Sequence, residues 1–112
     1  MNQKRLKFRG KYKGRILSGE KKTTLRMRTG LRPGDRVIVE AGKEEIGEAV
    51  IREVSDVRVE DLTDEHARED GFSSLEELLR ELKSIYGEEV LRKGTKLKLI
   101  KFDVRSRSEG EK

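Results

Sequence analysis

Apolar residues in this chain are few, but they recur with the two-residue period of half-buried β-strands. Leu6 and Phe8 alternate with charged residues in RLKFR, and similar alternation runs through RVIVE and GTKLKLIKFDV. Successive side chains of a strand point to opposite faces, so each segment can place one apolar face against a core. Turn residues such as Pro33 and Gly34 separate the segments. These patterns predict five or six short strands.

Helical spacing of apolar residues predicts two or three helices beside these strands. SSLEELLRELKSIY has one apolar stripe, formed by Leu75, Leu78, Leu79, Leu82 and Ile85. Ser73 or Ser74 can cap its first turn. A shorter helix is predicted before Gly19, and Thr63 can cap another, TDEHARED, that ends at Gly71. The predicted fold is therefore α+β, a small, mostly antiparallel β-barrel flanked by two to three helices.

Three further segments are expected to be strands of this barrel. TTLRMR alternates, so Leu25 and Met27 are predicted to share the core face while Thr24, Arg26 and Arg28 share the opposite face. EEIGEAVIREV and SDVRVEDL predict two separate strands, of which the second is polar enough to be partly exposed.

The composition favours one folded domain, which we place at residues 1–104, followed by a frayed tail at 105–112. Of the 112 residues 44% are charged and 32% hydrophobic, but the charges nearly balance and the apolar residues are periodic. Cysteine is absent, which excludes disulfides, thiol nucleophiles and cysteine-type zinc sites. No apolar stretch approaches the ~20 residues of a membrane span. A cytoplasmic protein is therefore expected. A thermophilic source is also expected, because charged residues are abundant while thermolabile ones are few.

Charge is distributed unevenly along the chain. Residues 1–36 carry 13 Lys and Arg against 2 Asp and Glu, whereas residues 37–90 carry 6 against 17. The first segment is too one-sided to be neutralised completely, so an exposed basic surface is expected. Such a surface attracts polyanions, above all nucleic acid, through phosphate contacts.

A series of motifs in a fixed order resembles the ASCH domain family, a branch of the PUA-like superfamily. The series is ILSGEKKTTLR, RPGDRVIVE, LTDEHAREDGF, an amphipathic helix ending in Tyr86, and LIKFDV. The resemblance covers about residues 11 to 104. It implies a PUA-like β-barrel with a cleft lined by the Lys-x-x-Thr-x-Arg segment, and a link to RNA.

Within that family, a small single-domain bacterial branch hydrolyses the acetyl amide on the exocyclic amine of acetylcytidine. The resemblance implies Lys21 as catalytic base, Thr24 as nucleophile and Asp70 as the acidic residue, where that branch has Glu. The candidates for substrate binding are the neighbouring cations Arg26, Lys22 and Arg28. A threonine hydroxyl needs an adjacent base, and lysine is a base only when burial or nearby cations remove its proton. No metal and no cofactor are expected.

The residues alone leave other functions open. An amidohydrolase acting on acetylcytidine is the first hypothesis, a non-catalytic RNA-binding module the second, and a ribonuclease the third. The expected partner is RNA or a nucleoside, the expected oligomeric state is a monomer, and no membrane partner is expected. A plainer alternative is that Lys21 and Lys22 are solvated, Arg26 pairs with an acidic residue, and Asp70 only caps a helix.

Overall fold

The structure is a computed structural model that describes residues 4–105 of the chain. Its strands and helices are, in chain order, β1 (Lys4–Phe8), α1 (Lys13–Ser18), β2 (Thr23–Arg26), β3 (Arg36–Ala41), β4 (Glu44–Arg58), α2 (Asp64–Glu69), α3 (Leu75–Tyr86) and β5 (Lys96–Arg105). Short 3₁₀ turns lie at Gly10–Tyr12, Val59–Asp61 and Glu88–Leu91. Arg105 belongs to β5 rather than to the predicted tail, whose other residues lie outside the described part of the chain.

The five strands form one curled sheet, a half-barrel, in the order β1-β3-β4-β5-β2. Only β1 and β3 are parallel, and the other three pairs are antiparallel. Across the seam between the edge strands β1 and β2, Arg26 Nη2 donates a hydrogen bond of 2.6 Å to the carbonyl oxygen of Lys7. The predicted α+β fold with a mostly antiparallel sheet is confirmed.

The core is formed by buried side chains of the curled sheet and of the helices. Alternation buries one face of β1 and β3, where Leu6, Val37 and Val39 are almost fully enclosed. Strand β5 is buried on both faces, with Leu97 on one and Ile100 on the other. From the helices, the inward-facing residues are Ile16, Leu78 and Leu82. Burying a large aliphatic side chain of this kind contributes about 1.5–3 kcal/mol, which offsets part of the chain's conformational entropy.

Helix ends follow the predicted capping residues. The Thr63 side chain accepts a hydrogen bond from the backbone N–H of His66, and the His66 ring accepts one from Thr63 N–H. Ser74 caps α3 by accepting from the backbone N–H of Glu77. At the end of α1, Gly19 has φ of 87°, a left-handed conformation that glycine adopts without strain.

Two predictions about strands are wrong. EEIGEAVIREV and SDVRVEDL do not form two strands, because β4 continues as a single strand of 15 residues. No proline or glycine interrupts it after Gly47, and a bulge at Arg52 keeps it paired with β5 along both halves. Met27 does not enter the core and is 42% exposed, because β2 ends at Arg26 and the alternation ends with it.

Candidate active site

Lys21 and Asp70 are brought together by two neighbouring chain segments. Residues 21 and 70 form an isolated antiparallel bridge, and the backbone N–H of Lys22 donates to the carbonyl oxygen of Glu69 at 2.7 Å. Asp70 caps the C-terminus of α2, and Gly71 follows with φ of 91°. A Cβ atom at Gly71 would lie 3.1 Å from the Lys21 Cβ, so glycine permits both the backbone turn and the close approach.

The two side chains form a buried pair. Lys21 Nζ donates to Asp70 Oδ1 and to the Asp70 carbonyl oxygen, both at 3.0 Å. The Thr23 hydroxyl donates to the same Oδ1 at 3.2 Å. Both Lys21 and Asp70 are only 4% exposed. The hydrogen bonds hold the carboxyl group in one orientation while the cavity leaves it little contact with water.

Three aromatic rings surround the Lys21 amine. The Nζ atom lies 4.9 Å from the ring centroid of Tyr12, 5.4 Å from that of Phe72 and 5.6 Å from that of Phe8. Aromatic faces attract a cation, but they also exclude the water that would otherwise solvate it. The rings therefore form a cage that positions the amine and reduces its hydration.

Burial shifts the protonation of both partners towards their neutral forms. It lowers the pKa of Lys21, and the attraction of Asp70 only partly opposes this. It also raises the pKa of Asp70 from 3.8 to about 6, against the opposing influence of Lys21 and Thr23. Because removal from water disfavours a charge of either sign, burial favours an amine and a carboxylic acid more than water does.

Thr24 and Arg26 share one face of β2, as the alternation predicts. Arg26 Nε donates to Thr24 Oγ1 at 3.0 Å, and the Arg26 guanidinium lies 5.1 Å from the ring centroid of Phe8. Burial lowers the pKa of Arg26. Because the threonine oxygen accepts this bond, its own O–H proton is available to a base.

These residues line one cavity of about 260 Å³. Lys21, Thr24, Arg26 and Asp70 all contribute to its wall, so the structure brings together four of the six predicted site residues. Its apolar lining comes largely from β2 and α3 and includes Leu25, Leu78, Leu82, Ile85 and Tyr86. Ile85, the last member of the predicted helix stripe, is 44% exposed and therefore belongs to the cavity rather than to the core.

The other two predicted residues lie elsewhere. Lys22 is exposed and lines a wider depression of about 750 Å³, together with Arg68 and Glu69, that contains neither Thr24 nor Asp70. We regard the smaller cavity as the site because it holds the buried polar groups. Arg28 is also exposed and lines a separate groove. A role for Lys22 and Arg28 in substrate binding stays a prediction.

Glu81 and Tyr12 belong to the cavity but were not predicted to be functional. The Tyr12 hydroxyl donates to Glu81 Oε2, and Glu81 also pairs with Lys11 at 3.2 Å and Arg9 at 3.4 Å. Burial raises the pKa of the Tyr12 hydroxyl well above its usual value, and the Glu81 carboxylate raises it further. The sequence pattern could have identified Glu81 as a candidate. It lies three residues after Leu78 and four before Ile85, which places a carboxylate beside the apolar stripe of α3.

The described part of the chain has neither a metal cluster nor a membrane-spanning helix. Within residues 4–105, no three or more His, Asp or Glu side chains are grouped so that they could hold a metal ion. In the same range, every helix is too short or too polar to cross a membrane.

Comparisons with known proteins agree with this architecture. Residues 2–104 match the family model described as ASCH domain. The chain is similar to an ASCH domain from Lactobacillus crispatus JV V101, with 21% identity and a TM-score of 0.72 over 82% of this chain and 69% of that one. An ASCH structure from Zymomonas mobilis has 18% identity and a TM-score of 0.66, over 88% of this chain and 64% of that one.

A protein from Enterococcus faecalis V583 is similar in fold, with 15% identity and a TM-score of 0.69 over 95% of this chain and 82% of that one. The comparison with curated proteins gives no significant match. Identities this low establish the fold alone, which is the α+β, PUA-like fold predicted from the sequence. The match over residues 2–104 establishes more: the chain belongs to the ASCH domain family.

Proposed function

We propose that this protein is an amidohydrolase that removes the acetyl group from the exocyclic amine of acetylcytidine or a similar acylated nucleoside. ASCH domain proteins are generally related to RNA, and a modified nucleoside is a substrate of that kind. The observation that carries the proposal is the arrangement of Lys21, Thr24, Arg26 and Asp70 around one cavity, with the Thr24 oxygen already held by Arg26.

The reactive state of the mechanism is the neutral form of the buried pair, which forms from the ion pair. One proton moves from Lys21 Nζ to Asp70 Oδ1 along their 3.0 Å hydrogen bond, which leaves an amine and a carboxylic acid. Burial favours this form at both groups. A base and an acid are then available in the same cavity, as cleavage of an amide requires.

Acylation of Thr24 is the first half of the reaction. The Lys21 amine takes the Thr24 hydroxyl proton while Oγ1 bonds to the acetyl carbon, and the carbonyl oxygen becomes an oxyanion beside the Arg26 guanidinium. The bond from that carbon to the exocyclic nitrogen then breaks. The nitrogen takes the proton of Asp70, so cytidine leaves, and an acetyl ester of Thr24 remains with a charged Lys21–Asp70 pair.

Deacylation returns every group to its starting state. A water molecule attacks the ester carbon and gives one proton to the Asp70 carboxylate. The intermediate expels Thr24 Oγ1, which recovers its proton from the Lys21 ammonium. Acetic acid is released and ionises in solution, so the net reaction consumes one water for each acetylcytidine.

Cavity size and lining favour a single base over a length of RNA strand. Its volume of about 260 Å³ lies just below the ~300–1,000 Å³ of sites for drug-sized ligands. The apolar side chains Leu25, Leu82 and Ile85 can enclose a flat base, while the polar groups meet its exocyclic amide. An amide placed in this way is held beside the nucleophile, which is the condition for efficient attack.

Acetate release from acetylcytidine tests the proposal. The native protein should produce acetate and cytidine in equal amounts, Thr24→Ala should reduce the rate by about a thousandfold or more, and Thr24→Ser should retain part of it. Thr95→Ala is the matched control, because Thr95 lies in a loop and does not line the cavity. Acetate release that Thr24→Ala leaves unchanged would contradict the proposed nucleophile.

A non-catalytic RNA-binding module is the second candidate. The observation that favours it is the complete hydrogen bonding of Asp70 Oδ1 by Lys21 and Thr23, which also suits a stable ion pair. A charged Lys21 would have no capacity to accept the Thr24 proton. Tight binding of cytidine-containing RNA with no release of acetate would select this candidate.

A further inference from the structure

A basic groove lies next to the cavity along the seam between β1 and β2. Four cationic residues, Lys4, Arg5, Arg26 and Arg28, line it above an apolar floor that includes Leu6 and Ile100. Its volume is about 390 Å³, and no Asp or Glu is among the residues that line it. In a chain with 22 acidic residues, a groove whose charged lining residues are all cations has a local excess of positive side chains.

Among the four cations of this groove, Arg28 is the one whose guanidinium is free to bind an anion. Lys4 pairs with Asp35 at 2.8 Å, Arg5 pairs with Glu45 at 2.9 Å, and Arg26 is bonded to Thr24. The exposed Arg28 guanidinium has no acidic partner among residues 4–105. A planar guanidinium can donate two parallel hydrogen bonds to a phosphate, and it does so without having to release a carboxylate first.

Arg26 connects the groove to the cavity because it lines both of them. A ligand whose base occupies the cavity beside Thr24 would therefore extend past Arg26 towards Arg28. We propose that the basic groove binds a phosphate ester on the ribose of the nucleoside, so that the preferred substrate is a nucleotide rather than a free nucleoside. This inference rests on the proposed function for the identity of the base in the cavity.

Binding affinities of cytidine and its phosphorylated derivatives, measured by calorimetry, test phosphate binding in the groove independently of hydrolysis. The ligands are cytidine, cytidine 5′-monophosphate, cytidine 3′-monophosphate and a short cytidine-containing oligonucleotide. The protein should bind at least one phosphorylated ligand about tenfold or more tightly than cytidine, with a preference that weakens as salt rises. Arg28→Ala should bring the affinity for that ligand down to that of cytidine, and Arg28→Lys should restore part of the preference.

Arg92→Ala is the matched control, because Arg92 is exposed and lines neither the cavity nor the groove. A preference for a monophosphate assigns the groove to mononucleotides, and a stronger preference for the oligonucleotide assigns it to RNA. Equal affinity for cytidine and all phosphorylated ligands, or a preference that survives Arg28→Ala, would overturn the inference. If the protein hydrolyses acetylcytidine but shows no preference for phosphorylated ligands, only the proposed role of the groove is refuted. If it prefers phosphorylated ligands but does not hydrolyse acetylcytidine, only the amidohydrolase proposal is refuted.

Discussion

Lys21 Nζ lies 3.0 Å from Asp70 Oδ1 in a pocket that excludes water from both groups. A pair of this kind is costly to form, since each charge loses hydration that the partner only partly replaces. The three aromatic rings around the amine and the hydrogen bond from Thr23 compensate for part of that loss. The same burial that makes the pair costly also favours the uncharged forms that the proposed chemistry needs.

Removing one partner of this pair should destabilise the fold more than removing both. Lys21→Met keeps an apolar stem of similar length but leaves Asp70 buried without its cation, so the free energy of unfolding should fall by about 3–5 kcal/mol. The double variant Lys21→Met with Asp70→Asn should recover at least half of that loss. Urea unfolding of the three proteins at pH 7 measures both values.

An exposed ion pair provides the control for this comparison. Lys98 and Asp56 are 2.7 Å apart at the surface, and Lys98→Met should lower stability much less than Lys21→Met does. Equal losses from Lys21→Met and Lys98→Met would mean that the buried pair has no special energetic role.

Stability should depend on pH through Asp70, with a sign that burial determines. The pKa of Asp70 is about 6 in the folded chain and 3.8 for an ordinary aspartate, so the folded state holds this proton more tightly. The resulting contribution to stability is fully present below pH 3.8 and is lost as the pH rises through about 6. Relative to Asp70→Asn, the native protein should lose about 3 kcal/mol across this window.

Unfolding by urea at several pH values from 3.5 to 7, for the native protein and Asp70→Asn, measures that difference. Asparagine keeps the shape of the side chain and its acceptor oxygen but does not titrate. A difference in unfolding free energy that stays constant, or that grows in favour of the native protein as the pH rises, would show that Asp70 has an ordinary or lowered pKa.

Arg26 should matter for both the reaction and its geometry. Its guanidinium donates to Thr24 Oγ1 and to the Lys7 carbonyl oxygen in different directions, which a lysine ammonium at that position cannot reproduce. Arg26→Lys should therefore lower kcat/KM for acetylcytidine by about a hundredfold, the usual effect of removing a donor that stabilises an oxyanion. Steady-state kinetics of the native protein and Arg26→Lys measure this change in kcat/KM.

Arg36→Lys is the matched control, because Arg36 is exposed on β3 and lines neither the cavity nor the basic groove. It should leave kcat/KM within about twofold of the native value, as is usual for surface changes remote from a site. If Arg26→Lys is as active as Arg36→Lys, Arg26 neither orients Thr24 nor stabilises charge in the transition state.

Most of the fold could be predicted because its periodic patterns are local. Alternation identified β1, β3 and β5, and the spacing of leucines identified α3. The continuous β4 was missed because the partner that keeps it extended, β5, is nearly 40 residues further along the chain. Met27 was misplaced because alternation alone cannot tell at which residue a strand ends.

The candidate site was predictable where it follows from one short segment. Thr24 and Arg26 were expected on one face of β2, and the structure places them there. The cage around Lys21 was not predictable, because Phe8 and Tyr12 belong to other elements than Lys21 and Phe72 is 51 residues further along the chain. Thr23 was not among the predicted site residues, because the family resemblance pointed to Thr24 instead, yet its hydroxyl holds the Asp70 carboxyl group.

The most direct test of the central claim is detection of the acetyl ester on Thr24. The protein is mixed with excess acetylcytidine, quenched with acid during turnover, digested and examined by mass spectrometry of the peptide that contains Thr24. The account predicts one acetyl group on Thr24 in the native protein and none on the same peptide of Thr24→Ala, which should release acetate about a thousandfold or more slowly. Acetate release by the native protein with an unmodified Thr24, undiminished in Thr24→Ala, would contradict it.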